Sequence, residues 1–252
     1  MVYTNRISID KDSPVPIYHQ VATNIRERIM KNEWKENEKI PSEAKLTEEY
    51  DISRVTLRQA LDELKREGII NKIQGKGVFV KYNPKPFVHD FSLPTALNAK
   101  LEQSGNNIIP VLLTSSMCGT IPHVNECLKI SEEESLVYIK RLFLFNNKPI
   151  GLNRSWLADS MVPKILDKPL IGNHLSTTLS KNYNLTPVNI ENSIQSIIPN
   201  AADMKLLNVQ YTVPATFLKS ISYLDDQTPL EYSETIWLGD SVKFTFNTNA
   251  IQ

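Results

Sequence analysis

The sequence predicts an α+β protein in two parts, a helical N-terminal segment closed by a short hairpin and a longer part built on an antiparallel sheet with helices flanking it. Three observations predict it. Apolar residues recur at helical spacing in Ile17, Val21, Ile25 and Ile29, and again in Leu57, Ala60, Leu61 and Leu64. Beyond residue 90 the texture changes to long apolar runs, of which Leu136–Phe145 is apolar on both faces and therefore a central strand. A strand–turn–strand pattern then recurs about 80 residues later, with Pro149, Ile150, Arg154 and Ser155 answered by Pro229, Leu230, Glu234 and Thr235.

Length and composition agree. At 252 residues, and ~150 per domain, the chain has room for two domains. With 41% hydrophobic and 22% charged residues, it reads as soluble and globular. There is no apolar run long enough to cross a membrane and no signal peptide, so the expected compartment is the cytoplasm. Cys118 and Cys127 form no CxxC pair and read as ordinary thiols. The formal charge is zero, but unevenly placed: residues 53–81 hold 7 Lys and Arg against 3 Asp and Glu, a local +4. That excess marks where a polyanion would sit.

Taken in order, Pro16 opens a helix from Ile17 to about Asn32, with His19 on its surface or at its cap. Pro41 ends an extended piece and Ser42 caps a short helix carrying Leu46 and Tyr50. Asp51 and Ile52 turn the chain. Ser53 caps a second helix, Arg54 to Glu67, which Gly68 ends. Arg54, Thr56 and Arg58 then project from the start of that helix. Arginine can grip the O6/N7 edge of guanine with two hydrogen bonds, and threonine suits a phosphate or a thymine methyl. Residues 69–72 and 78–81 flank Gln74-Gly75-Lys76-Gly77 as a hairpin whose tip can approach a phosphate backbone. Two arginines on a helix, or a Gly-Lys-Gly turn, are each commonplace. Their order and spacing together specify a winged helix-turn-helix with its second helix in a DNA groove.

The run Ile40-Pro41-Ser42-Glu43, Leu46, Ser53-Arg54-Val55-Thr56-Leu57-Arg58, Ala60-Leu61, Leu64, Glu67-Gly68 and Gln74 to Val80 resembles the DNA-binding domain of GntR-family bacterial transcription regulators, from about Pro16 to Val80. The resemblance implies DNA contacts by Ser42, Ser53, Arg54, Thr56, Arg58, Gln74, Gly75, Lys76 and Gly77. Where the family usually carries Arg or Lys this chain has Ala44, and Lys45 is the candidate stand-in.

Residues 82–90 hold two prolines and no periodicity, and read as a linker between a DNA-binding domain at 1–81 and a second domain at 91–252. The second domain is expected to begin with a helix over 91–103 and a strand over 108–116. An acidic turn leads to strands over 136–145 and 150–157. A helix over 174–183, a strand over 188–198 and a helix over 201–207 follow. Strands over 217–224 and 230–238 come next, and a last strand over 243–247 closes the sheet.

Arg141, the Asn147–Pro149 turn, Arg154-Ser155, Tyr183, Glu231-Tyr232-Ser233 and Gly239-Asp240 make this part similar to the UTRA effector-binding domain of the HutC branch of GntR regulators, a fold related to chorismate lyase. The resemblance implies a homodimer that binds a palindromic operator in double-stranded DNA and responds to a small polar or anionic effector, such as a sugar phosphate or organic acid. It implies a repressor of a metabolic operon, with an activator or a lyase-type enzyme as alternatives; no enzyme activity, cofactor, metal or membrane is expected. Arg141 is the candidate anion grip, because an isolated mid-strand charge needs a partner. Phe143, Asn153, Arg154, His174, Glu231 and Tyr232 are the further candidates, with the backbone of Phe91, Ser92 and Leu93 at a helix start. Arg154 has a second reading, as a partner of Glu234 across the sheet. Phe143 and Asn153 replace the Arg and Glu that amino-sugar-phosphate sensors tend to carry, and His174 stands near an expected Ser. These departures point away from that effector class.

Overall fold

The computed structural model describes residues 9–81, 87–90, 108–209, 213–239 and 241–246. The chain divides into two compact units, Met1–Lys85 and Pro86–Gln252.

The first unit holds three helices and a hairpin. Helix α1 (Ile17–Met30) buries Val21, Ala22, Ile25 and Ile29 along one stripe. Its Arg26 forks onto Glu67 at 2.8 and 3.2 Å, and His19 meets Glu63 at 2.7 Å. His19 is therefore buried against the third helix, not on the surface as the sequence led us to expect. Helix α2 (Glu43–Tyr50) is capped by Ser42, which accepts the Lys45 N–H, and ends at Asp51 in left-handed conformation (φ 51°, ψ 52°). Helix α3 (Arg54–Arg66) is capped by Ser53, which accepts the Thr56 N–H at 3.1 Å. Leu57, Ala60, Leu61 and Leu64 face the core, and Gly68 at φ +74° turns the chain out. Strands β1 (Ile70–Ile73) and β2 (Gly77–Val80) pair antiparallel, as the hairpin pattern predicts.

The second unit is centred on a six-stranded antiparallel sheet. Its strands are β4 (Ile108–Cys118), β5 (Leu136–Phe145), β6 (Lys148–Ala158), β7 (Asn189–Ile197), β8 (Ala215–Tyr223) and β9 (Pro229–Leu238). Their order is β4-β5-β6-β9-β8-β7, so the repeat seen in the sequence is two meanders joined at β6 and β9. A helix follows the first strand of each half: α4 (Pro122–Leu128) and α6 (Ala201–Leu206). The duplicated unit is thus β-α-β-β, larger than the strand–turn–strand repeat legible in the sequence. Helix α5 (Leu175–Tyr183) lies between the halves in the chain. Asn146 and Asn147, both at positive φ (50° and 62°), make the tight β5–β6 turn.

Two expectations are corrected. Residues 87–90 are not linker but strand β3 (Phe87–Asp90), and β10 (Val242–Thr245) does not close the main sheet. Instead β3 and β10 pair in parallel as a separate two-stranded sheet, with Phe87 wholly buried beside Trp237. The helix expected over 91–103 lies outside the described residues. Helix α4 was not anticipated; its Pro122 start and the four-residue spacing of Val124 and Leu128 were its only signals.

Candidate functional site

Two sets of residues carry chemistry, one in each unit. In the first, side chains buried below α3 hold its polar N-terminal end outward. Arg54, Arg58 and Gln59 are exposed, and Val55 is 68% exposed, an uncommon degree for a β-branched apolar residue. Thr56 is half-buried, its hydroxyl bonded to that of Ser53 at 2.8 Å. Arg58 is not free: its Nε donates to Glu43 Oε2 at 3.1 Å, while Lys72 Nζ donates to Glu43 Oε1 at 2.6 Å. The hydrogen bond from Lys72 holds the Glu43 carboxyl below its usual range, with Arg58 adding to it. Glu43 thereby gathers one cation from the exposed face of α3 and one from strand β1 of the hairpin. Arg58 is exposed on α3, as its helical position led us to expect, but the sequence gave no sign of this acidic clamp.

The hairpin tip, Gln74-Gly75-Lys76, is exposed. Gly75 (φ +75°) has open space where a side chain would stand, whereas a Cβ on Gly77 (φ +116°) would meet Lys39 Cε at 2.6 Å. Ser42 and Ser53 serve first as helix caps. Lys45 is exposed on α2.

In the second unit the alternation of the strands sorts the candidates onto two faces. Arg141, Asn153 and Thr235 stand in one row across β5, β6 and β9, and Ile139, Ser155 and Ser233 in the next. Arg141 Nη2 donates to Asn153 Oδ1 at 2.7 Å and to Ser155 Oγ at 3.2 Å, and Asn153 Nδ2 donates to Thr235 Oγ1 at 2.9 Å. Arg141 is only 8% exposed, and its Nε is buried without a hydrogen-bond partner. Burial lowers the pKa of Arg141 from its ordinary value, and Glu231 acts in the opposite sense. Phe143 occupies the neighbouring row on this face, its ring 5.6 Å from the Arg141 guanidinium and stacked on Trp237 at 5.2 Å. The Trp237 ring lies over Gly151, where an added Cβ would be 2.5 Å from Cε3. Helix α5, with His174 as its N-cap residue, packs Leu175 and Leu179 with Val137, Ile139 and Leu157 of the same face.

Arg154 and Tyr232 do not join this set. Residue parity puts them on the opposite face. There Arg154 pairs with Asp203 of α6, and Tyr232 is fully buried against Trp156, Val124 and Leu136. Phe91, Ser92, Leu93 and Asp240 lie outside the described residues. Ser155 and Ser233 entered the sequence reading as carriers of the resemblance, and Ser155 and Thr235 in the repeat, while Ser222 and Trp237 were not singled out; none of the five was named there as a ligand contact. The period-two pattern of Ser220, Ser222, Ser233 and Thr235 on paired strands was the available signal.

A winged helix-turn-helix joined to a sheet that bears a buried guanidinium, with no carboxylate among the described residues in ion-pair reach, defines a class: a ligand-responsive, DNA-binding transcriptional regulator. Residues 17–80 match the family described as bacterial regulatory proteins, gntR family, and residues 112–243 match the UTRA domain. The chain belongs to the GntR family, in the HutC-like branch that carries an UTRA domain. It is 28% identical over 230 residues to the Mannosyl-D-glycerate transport/metabolism system repressor MngR of Escherichia coli, covering 91% of this chain and 95% of that protein. It is 27% identical over 247 residues to the HTH-type transcriptional repressor NagR of Bacillus subtilis, covering 95% and 97%. Among solved structures, PhnF from Mycobacterium smegmatis shares the fold at a TM-score of 0.63 and 18% identity, over 91% of this chain and all of that one. The possible regulator YydK from Bacillus subtilis does so at 0.57 and 22% identity, over 92% and 99%.

Proposed function

We propose that the protein is a cytoplasmic repressor of a small-metabolite catabolic operon. As a homodimer it binds a palindromic operator, and it leaves that operator when a small polar or anionic effector binds the Arg141 face. Two relatives, the mannosyl-D-glycerate system repressor MngR and the repressor NagR, support the sign of regulation. Arg54 and Arg58 read base edges from the start of α3. Ser42, Lys45, Ser53, Thr56 and the hairpin tip from Gln74 to Gly77 contact phosphates and the neighbouring groove. One copy carries few cations on this surface, and two copies double its phosphate contacts and the affinity that depends on salt. Arg141, Phe143, Asn153, His174 and Glu231 hold the effector, together with Ser155, Thr235 and Trp237.

The observation that carries the effector half is the buried Arg141 guanidinium. Its partners are neutral amide and hydroxyl groups, and among the described residues no carboxylate lies within ion-pair distance. Glu231 acts on it only from beyond ion-pair distance, and a buried cation without a paired carboxylate costs stability unless a ligand supplies one. Selection of bound duplexes from a random pool tests the DNA half. An enriched inverted repeat is the expected result, and a pool that stays random after repeated rounds would refute the reading.

A further inference from the structure

We propose that the Arg141 face takes a hydroxylated monocarboxylate, a sugar acid or polyhydroxy acid in chemical class, and not a phosphate monoester. This rests on reading that face as the effector site and adds the charge and donor pattern of the molecule it accepts.

Charge comes first. Among the described strand positions on this face, in the rows that run from Val137 to Phe143 and their partners on β6, β9 and β8, Arg141 is the one cation and Glu231 the one anion. The nearby cations Lys140, Arg154 and Lys219 point to the other face by strand parity. A carboxylate would close the guanidinium as a neutral, charge-assisted pair. A phosphate monoester near neutral pH carries close to two charges. Counted together with Arg141 and Glu231 it leaves about two net negative charges, where a carboxylate leaves one, and the larger surplus is the costlier to desolvate.

The second observation is the donor pattern. Among the described residues, three buried groups have no hydrogen-bond partner: Arg141 Nε, Ser222 Oγ and Trp237 Nε1. Their residues are 8%, 6% and 4% exposed, and all three stand on the same face by register. The row of neutral hydroxyls Ser155, Ser233 and Ser220 lies between the Arg141 row and the Ser222 row, with Thr235 in the Arg141 row itself. Trp237 stands one row to the other side of Arg141, ~20 Å along the strands from Ser222, so a small ligand held at Arg141 meets the hydroxyls and at most one of the two outlying groups. Hydroxyls both donate and accept, and so match a ligand that does the same. The Trp237 ring, held over Gly151 against Phe143, gives this polar field an apolar edge. One cation with many neutral hydroxyls is the complement of one carboxylate on a polyol.

The test is calorimetric titration of the full chain with D-gluconate, D-galacturonate and D-glycerate, each paired with a phosphate ester of the same carbon skeleton. At least one carboxylate is expected to bind about tenfold or more tightly than its phosphate counterpart, and Arg141→Gln is expected to abolish that binding. A phosphate ester that equals or outdoes its carboxylate in the wild-type chain overturns the proposal, as does the failure of every carboxylate to bind. A carboxylate that binds Arg141→Gln as well as wild type instead overturns the placing of the site. Phe143→Arg adds a second cation beside the first, and should raise affinity for the phosphate members about tenfold; no change there counts against the charge argument.

Discussion

Arg154 and Glu234 face each other in register across β6 and β9, yet each bonds elsewhere. Arg154 donates to Asp203 of α6, and Glu234 accepts the Tyr232 hydroxyl at 2.9 Å. The two positions are also equivalents in the internal repeat, so the centre of the duplication runs between them. Their face anchors the helices that follow the first strand of each half, while the Arg141 face presents unpartnered polar groups.

A separation of roles between the faces follows. Arg154→Ala leaves the buried Asp203 carboxylate without its counter-charge and should cost roughly 3 kcal/mol of stability. Ligand response should survive in the folded fraction. Arg141→Ala should do the reverse, abolishing ligand response while leaving DNA affinity unchanged. Chemical denaturation and ligand titration of both variants check the pair, and a silent Arg141→Ala would remove that residue from the site.

The acidic clamp at the DNA-facing surface makes a second prediction. Arg58→Ala should weaken operator binding by ~1–3 kcal/mol and relax discrimination at one base pair. Glu43→Gln releases both Arg58 and Lys72 from a carboxylate. It should tighten binding to random duplex and steepen its salt dependence, narrowing the specificity ratio. Anisotropy titrations on operator and random duplex over a salt series read both effects.

Tyr50 offers a pH test of the first unit. Burial is the chief cause that raises its phenol from 10.0 to about 12; its hydroxyl donates to Asn24 at 2.8 Å and accepts from Arg28 at 3.1 Å. The folded state therefore binds this proton more tightly than the unfolded state. The stabilisation is complete below pH 10 and is lost as pH rises from 10 towards about 12. Tyr50→Phe should flatten the alkaline limb of the stability curve over that window. An unchanged limb would mean another group governs it.

Gly151→Ala tests the Trp237 platform. The added methyl meets the indole ring at 2.5 Å, so the ring must move. A loss of about 1–3 kcal/mol is expected, with altered tryptophan fluorescence. Wild-type stability and spectrum together would show that the ring is not held there.

Much of this architecture was legible in the sequence because it is local. Caps at Ser42 and Ser53, the glycine after α3, the glycine-bearing hairpin and the limits of β5 all follow from short-range rules. Parity along β5 and β6 was legible too, and applied strictly it would have kept Arg154 and Tyr232 apart from Arg141. What could not be read were long-range pairings. Strand β3 finds its partner β10 some 150 residues away and in parallel, and His19 is buried by Glu63 on another helix. The Glu43 clamp likewise joins groups from three elements.

The most direct measurement is competition anisotropy on the inverted repeat recovered by selection, with and without the carboxylate found by titration, for wild type and Arg141→Gln. The account predicts that operator binding exceeds random-duplex binding by at least about 1,000-fold, that ligand removes this preference from wild type, and that Arg141→Gln keeps it with ligand present. Equal affinity for operator and random duplex, or release of both proteins by the ligand alike, would contradict it.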